Sequence, residues 1–220
     1  MLYLVVRAVL RVVFRVVYRP VITGREHIPT SGPVILASNH RSFIDSIVIP
    51  LAAPRRIAFL AKSDYFTGTG VRGALIRWWF MTMGQVAVRR GEHRASHAAL
   101  ETALAVLNDG VAFGIYPEGT RSRDGRLWRG RTGVGWLALA AGCPVVPVGL
   151  HGTEDMMPIG GRLRLARVRI DFGAPIHPDA YAGMRPAHAR RQLTDDVMTA
   201  IAALSGQERA PDYHPLEESP

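Results

Sequence analysis

Two residues are placed to move a proton, His40 and Asp45, in the run Asn39-His40-Arg41-Ser42-Phe43-Ile44-Asp45. An imidazole whose ordinary pKa lies near 6.5 suits general-base work at neutral pH. A carboxylate five positions on would lie about 140° away if both residues shared a helix, so they cannot share a helical face. The spacing works if His40 precedes a helix and Asp45 lies in its first turn. With Ser42 as N-cap, Asp45 becomes the third helical residue and can turn back toward the ring, holding its tautomer and stabilising the imidazolium. Ser42-x-x-Asp45 is also close to a capping box, so a purely structural role for Asp45 stands beside the catalytic one.

A second cluster suits anions. In Tyr116-Pro117-Glu118-Gly119-Thr120-Arg121-Ser122, Pro117 and Gly119 favour a tight turn. Thr120 and Arg121 then make a clamp for a phosphate or carboxylate. Further cations follow two other apolar runs: Arg89 and Arg90 after Gln85–Val88, and Lys62 after IAFLA. One base candidate and several cations therefore converge if these runs are strands of one sheet.

Periodicity supports that frame. Val34 to Ser38 (VILAS), Ile57 to Ala61, Gln85 to Val88, Val111 to Tyr116 and Val145 to Leu150 read as short buried strands. Val168, Ile170 and Phe172 alternate with polar residues, as a strand nearer an edge would. Helices are expected from Ser42, over Val71 to Met83, through Leu100, Leu104 and Leu107 to a stop at Asp109-Gly110, over Trp136 to Ala141, and through Leu193, Val197, Ile201 and Leu204. Strand alternating with helix predicts a single α/β domain over residues 21–205, with a mostly parallel sheet flanked by helices. In such a sheet ligands bind at the carboxyl ends of the strands, where His40 and the PEGTR turn would lie. Residues 206–220, polar and Pro-rich, are expected to form a loose tail.

The chain carries 27 Lys and Arg against 18 Asp and Glu, a formal charge of +9, and Lys62 is its sole lysine. Such a balance points to phosphorylated substrates, an anionic bilayer or nucleic acid. Aromatics are not interleaved with the bases as a nucleic-acid stacking platform requires, so nucleic acid is not expected. In residues 1–20 (MLYLVVRAVLRVVFRVVYRP), Arg7, Arg11, Arg15 and Arg19 recur every fourth position and fall on one broad helical face. A spanning helix would place arginines near the bilayer centre at about 2.5–3.5 kcal/mol each. An interfacial helix avoids that cost, with the Arg face toward anionic head groups, the apolar face in the acyl boundary and Pro20 ending the element. Packing on the protein's own core is the alternative.

Other signals are weaker. Cys143, the single cysteine, reads as a buried thiol and not a nucleophile. Gly125-x4-Gly130-Arg131-Thr132 lacks the lysine and the preceding strand of a phosphate-binding loop. His93 and His97 have no third partner for a metal, and no metal is expected. No G-x-S-x-G elbow points to an acyl-serine hydrolase.

NHRSFID, GQVAVRR, YPEGTRS and VVPVGL stand in the order and spacing of the four motif blocks of glycerolipid acyltransferases. The chain resembles that family over roughly residues 20 to 180, most nearly its bacterial 1-acyl-sn-glycerol-3-phosphate acyltransferase group. The first and third blocks together are specific; the second and fourth are weak alone. The third opens with Tyr116 where Phe is commoner, and the Arg pair of the second leaves open whether Arg89 or Arg90 meets phosphate. The resemblance implies a His40–Asp45 dyad, acceptor-phosphate contacts at Arg121, at Arg89 or Arg90 and at Lys62, and a pocket shaped by Glu118 and Gly119. It places Val146 to Leu150 beside the acyl donor. It further implies a donor that is acyl-CoA or acyl carrier protein, an acceptor resembling lysophosphatidic acid, no cofactor, and a peripheral or monotopic place on the cytoplasmic face of the cell membrane. Another lysophospholipid or a glycolipid alcohol remains open as acceptor. A non-catalytic basic binding module for anionic lipid or nucleic acid is the rival from another class.

Overall fold

The computed structural model describes residues 2–62, 70, 73, 85–88 and 93–215. Among the described residues seven strands form one sheet: β1 (Val21–Thr23), β2 (Val34–Ser38), β3 (Ile57–Lys62), β4 (Gln85–Val88), β5 (Ala112–Ile115), β6 (Val145–His151) and β7 (Arg169–Phe172). Their order is β1-β7-β6-β2-β5-β3-β4. The five strands from β6 to β4 are parallel, β7 runs antiparallel to β6, and β1 follows β7. This is the mostly parallel α/β domain the alternating runs require. The edge character expected of β7 holds in part, because only the three-residue β1 lies outside it.

Helices cover both faces. They are α1 (Leu2–Val13), α2 (Asp45–Ala52), α3 (His93–Asn108), α4 (Gly133–Ala141), the single turn α5 (Thr153–Met156) and α6 (Pro186–Ser205). The helix expected over Val71 to Met83 lies outside the described residues, apart from Gly73. Every residue of β2 is buried, as a central strand covered on both sides demands. Val34 and Leu36 point into one core with Phe59, Val48, Val146 and Phe14. Ile35 and Ala37, one pleat away, enter the opposite core with Phe113, Leu137, Leu193 and Val197.

Two expectations change. Residues 206–215 are not loose. Leu127 pairs through its backbone with Glu208 and Ala210, and Arg129 with Asp212, so the segment is strapped to the loop after the PEGTR turn. Unmet backbone groups of residues 127–129 gave the polar tail something to pair with. The second change concerns α1. It is amphipathic and present, continuing as a wider π-helical turn over Phe14–Tyr18, with Arg19 left-handed before Pro20. Its inner side is Leu10, Phe14 and Tyr18, which pack on the core one turn apart. Arg7 also points inward, and its Nη2 donates to the carbonyls of Pro50, Ala53 and Arg55 at 2.8–3.2 Å. Those carbonyls close the C-terminal end of α2, where a cation is stabilised. Val9, Val12, Val13 and Val16 face outward. Among the described residues, no helix is long and apolar enough to cross a membrane.

Candidate active site

The carboxyl ends of β2 and β5 lie side by side, with Ala37 paired to Ile115, so the loops that follow them meet. Asn39 fixes the first loop. Its Oδ1 accepts the Leu150 N–H at 2.8 Å and its Nδ2 donates to the Leu150 carbonyl at 3.0 Å, extending the β2–β6 ladder by a side chain. Nδ2 also reaches Gln207 Oε1 at 2.7 Å, which ties the C-terminal strap to the same point.

His40 is held by its backbone on both sides. Its N–H donates to Glu118 Oε1 at 3.1 Å and its carbonyl accepts the Ser122 N–H at 2.7 Å. The imidazole Nδ1 lies 2.9 Å from Asp45 Oδ2. The same oxygen accepts the N–H groups of Arg41 at 2.8 Å and Ser42 at 2.9 Å. An ionised carboxylate only accepts, so Nδ1 carries the proton and Nε2 is the basic nitrogen. The other face of the geometry is aromatic: the Tyr116 ring stacks on the imidazole with centroids 3.8 Å apart and planes within 9°. Tyr116 and Ser46 join their hydroxyls at 2.8 Å, and Phe59 lies behind Tyr116 at 5.5 Å. Phe59 in turn needs Gly114, since a Cβ there would sit 2.1 Å from the ring.

The capping detail differs from expectation. Phe43 and Ile44 form a turn, the helix begins at Asp45, and the Ser42 hydroxyl donates to the Met157 carbonyl at 2.6 Å. Asp45 is therefore the first helical residue and not the third. That position sends its carboxylate back over the loop, where three N–H groups converge on Oδ2. Oδ1 is buried and has no hydrogen-bond partner among the described residues.

Glu118, fully buried, bridges two loops: Oε1 takes the His40 N–H and Oε2 the Trp128 N–H at 2.9 Å. Burial pushes its carboxyl up to about 7, against the pull of those two donors. Glu118 is thus a clamp for the loop beneath His40. Gly119 closes the turn through its N–H to the Tyr116 carbonyl at 3.0 Å, with φ +82°. Thr120 and Arg121 follow, both half-buried, and Arg121 has no acceptor among the described residues. Lys62 ends β3, paired in register with Val88 of β4, so both strand ends reach the edge that carries His40. Arg89 and Arg90, and the Lys62 side chain, lie outside the described residues. His40, Asp45, Glu118, Gly119, Thr120 and Arg121 are brought together.

Tyr116 and Arg41 were the residues sequence reasoning undervalued. Arg41 forms an ion pair with Glu154 of α5. An aromatic one residue before Pro-Glu-Gly, at the end of a strand beside the histidine strand, was the available signal for Tyr116. Cys143 is buried and its thiol is pushed up to about 11 by burial, as a structural cysteine should be. His97 pairs with Glu101 at 3.3 Å on the far face of the sheet; the side chain of His93 is not among those described.

The family profile described as Acyltransferase matches residues 19–151. A 1-acyl-sn-glycerol-3-phosphate acyltransferase of Arabidopsis thaliana chloroplasts is 35% identical over 159 residues, covering 71% of this chain and 43% of that protein. The chain belongs to the acyltransferase family. A second relative, the 1-acyl-sn-glycerol-3-phosphate acyltransferase of Borreliella burgdorferi, is 32% identical over 135 residues, 61% of this chain and 52% of that one. The acyltransferase fold is matched by the crystal structure of the 1-acyl-sn-glycerophosphate acyltransferase PlsC from Thermotoga maritima, at 28% identity and TM-score 0.64. That likeness covers 84% of this chain and 71% of the other. The chain spans about half the length of the plant relatives it matches. The matched segment opens at Arg19 and closes at His151, so it encloses the histidine loop, the PEGTR turn and the whole of β6.

Proposed function

We propose that this chain transfers a fatty acyl group from a thioester to the free hydroxyl of a lysophosphatidic-acid-like acceptor at a membrane surface. The thioester is acyl-CoA or acyl carrier protein, and the enzyme sits peripherally on the cytoplasmic face. The observation that carries the reading is the His40–Asp45 pair at 2.9 Å, stacked on Tyr116 and one loop away from the half-buried Arg121.

His40 Nε2 takes the proton of the acceptor hydroxyl as the oxygen attacks the thioester carbonyl carbon. The carbon–sulfur bond then breaks, and the departing thiolate recovers the proton from the imidazolium. Asp45 faces the imidazolium with a negative oxygen while the transfer lasts. No acyl-enzyme is needed, and Cys143 is buried away from the site. Arg121, with Thr120 beside it, holds the acceptor phosphate and so positions the hydroxyl, an entropic contribution to rate. Arg89 or Arg90, next in sequence after β4, and Lys62 are the further cations proposed to meet that phosphate. Similarity to proteins described as 1-acyl-sn-glycerol-3-phosphate acyltransferases supports the choice of acceptor.

The test is steady-state acyl transfer from labelled acyl-CoA to a panel of lysophospholipids. Arg121→Ala should raise the acceptor KM about 10- to 100-fold, matching a lost charge-assisted bond of about 1.5–3 kcal/mol, and leave the donor KM near the native value. An effect on the donor alone would move the phosphate site elsewhere. Absence of transfer to every acceptor would remove the catalytic reading.

A further inference from the structure

The most exposed large apolar side chain among those described is not on α1. Leu165 is 75% exposed and Leu163 is 54% exposed, in the run Arg162-Leu163-Arg164-Leu165-Ala166-Arg167 between α5 and β7. Two unpartnered leucines alternating with three exposed arginines are costly in water and need an explanation.

The segment is anchored and not free. The Arg164 N–H donates to the Met156 carbonyl at 2.8 Å, and Gly152 has φ +74° and passes so close that a Cβ would meet the Arg167 carbonyl at 2.0 Å. It also meets the end of the N-terminal helix. Val17, Tyr18, Arg19 and Val21 on one side, with Leu165 and Arg167 on the other, line a trough of about 540 Å3. Val17 and Val21 are themselves 50% and 55% exposed. Val17, Val21 and Leu165 therefore share one apolar trough bordered by Arg19 and Arg167, with the exposed Leu163 two residues along the same segment.

We propose that the 162–167 segment is a second membrane-contacting element, with Leu163 and Leu165 entering the acyl boundary of an anionic bilayer beside α1. This rests on the membrane-surface reading above and adds a named element to it. Charge favours an anionic bilayer: Arg19 and Arg167 line the trough, and Arg162 and Arg164 stand exposed beside Leu163 and Leu165 in the chain, a pattern that suits insertion beneath phosphate head groups. Position agrees. β7 begins beside the end of β6, with His151 in register with Arg169, so the segment lies at the edge that carries His40. Through α5 it leans on the histidine loop, where Ser42 bonds Met157 and Arg41 pairs with Glu154. A bilayer gripping this segment would bring its lipids to the reacting edge.

The experiment uses the full chain and vesicles of phosphatidylglycerol and phosphatidylcholine in equal parts. A polarity-sensitive fluorophore is attached at Leu165→Cys, and in a control at Glu101→Cys on α3, on the opposite face of the sheet; Cys143 is buried from the reagent. The probe at 165 should brighten with vesicles and be quenched by lipids brominated in the acyl chain, while the probe at 101 is unchanged. The unlabelled L163S/L165S variant should partition onto vesicles at least about tenfold more weakly than the native chain, matching removal of two half-inserted leucines. Vesicle binding by the native chain with an unquenched probe at 165 would overturn this element and leave the membrane reading standing. No binding by the native chain would remove both. Brightening that follows protein concentration without lipid would assign the surface to a second copy and overturn the proposal.

Discussion

Replacing Asp45 by Asn separates two jobs that one carboxylate performs. Oδ2 accepts N–H groups from Arg41, Ser42 and the His40 ring at 2.8–2.9 Å. Asparagine has the same shape but only one accepting atom. Turning its amide nitrogen toward three donors would forfeit three hydrogen bonds, at about 1 kcal/mol each. The amide oxygen must therefore take the place of Oδ2, and the nitrogen that of the unpartnered Oδ1. The loop and the Nδ1–H tautomer survive. What is lost is the charge facing the imidazolium. A hydrogen bond to a charged group contributes about 1.5–3 kcal/mol and a neutral one about 0.5–1.5, a difference of about 1–2 kcal/mol. That corresponds to a fall in kcat of roughly 5- to 30-fold. His40→Ala, which removes the base itself, should cost about 10²–10⁴. The assay is single-turnover acyl transfer in detergent micelles, so that membrane binding does not enter, with circular dichroism and thermal melting on each variant. Asp45→Asn should also melt earlier, because its buried amide nitrogen has no acceptor, at a cost of about 1–3 kcal/mol. A folded Asp45→Asn as inactive as His40→Ala would refute the argument, since the ring would then be in the wrong tautomer. An undiminished rate would make Asp45 a loop clamp and nothing more.

Three further outcomes follow from the same geometry. Tyr116→Phe keeps the stack on His40 and should retain most turnover, whereas Tyr116→Leu removes aromatic support for the imidazolium and should lose about 2- to 30-fold in kcat, matching about 0.5–2 kcal/mol of cation–π attraction. Gly114→Ala should destabilise by about 1–3 kcal/mol in denaturant melts and lower kcat, because Phe59 must move against Tyr116. Glu118 titrates near 7 in the fold against 4.5 as a free side chain, so between those values the native state holds the extra proton and stability falls as pH rises. The fall should reach about 3 kcal/mol by linkage. Unfolding free energies measured at about pH 5 and pH 7.5 should show that slope in the native chain and lose it in Glu118→Gln.

Most of the sheet was legible because its strands are short apolar runs closed by polar residues or glycine. VILAS gave β2 to the residue, and VVPVGL gave β6 but for His151. The site was legible as two strand-end loops because parallel topology puts such loops on one edge. The convergence of three N–H groups on Asp45 Oδ2 was not, since it depends on where α2 starts, and a two-residue turn moved that start from Ser42 to Asp45. The docking of residues 206–215 was also hidden. Its partners are backbone groups of residues 127–129, and no side-chain pattern announces a backbone pairing so distant in sequence.

The N-terminal helix shows how a pattern can be legible while the side that meets the protein is not. Recurrence every four residues establishes that α1 has two sides; it does not say which one the protein takes. Leu10, Phe14 and Tyr18 share the spacing of the arginines, one register apart, and bury on the core. The arginine face nearest them is drawn in at its N-terminal half because α2 ends there with carbonyls in need of donors, and Arg7 supplies them. Half of the charge that +9 seemed to offer a bilayer along this helix is thereby turned toward the protein, with Arg7 and Arg11 half-buried and Arg15 and Arg19 exposed. What α1 presents outward is mainly valine. An apolar stripe with little charge of its own binds a bilayer weakly unless neighbouring cations complete it, and Arg167 of the 162–167 segment stands across the trough from Arg19. In the proposed membrane-contacting surface, helix and segment supply different halves, separated by about 140 residues of sequence.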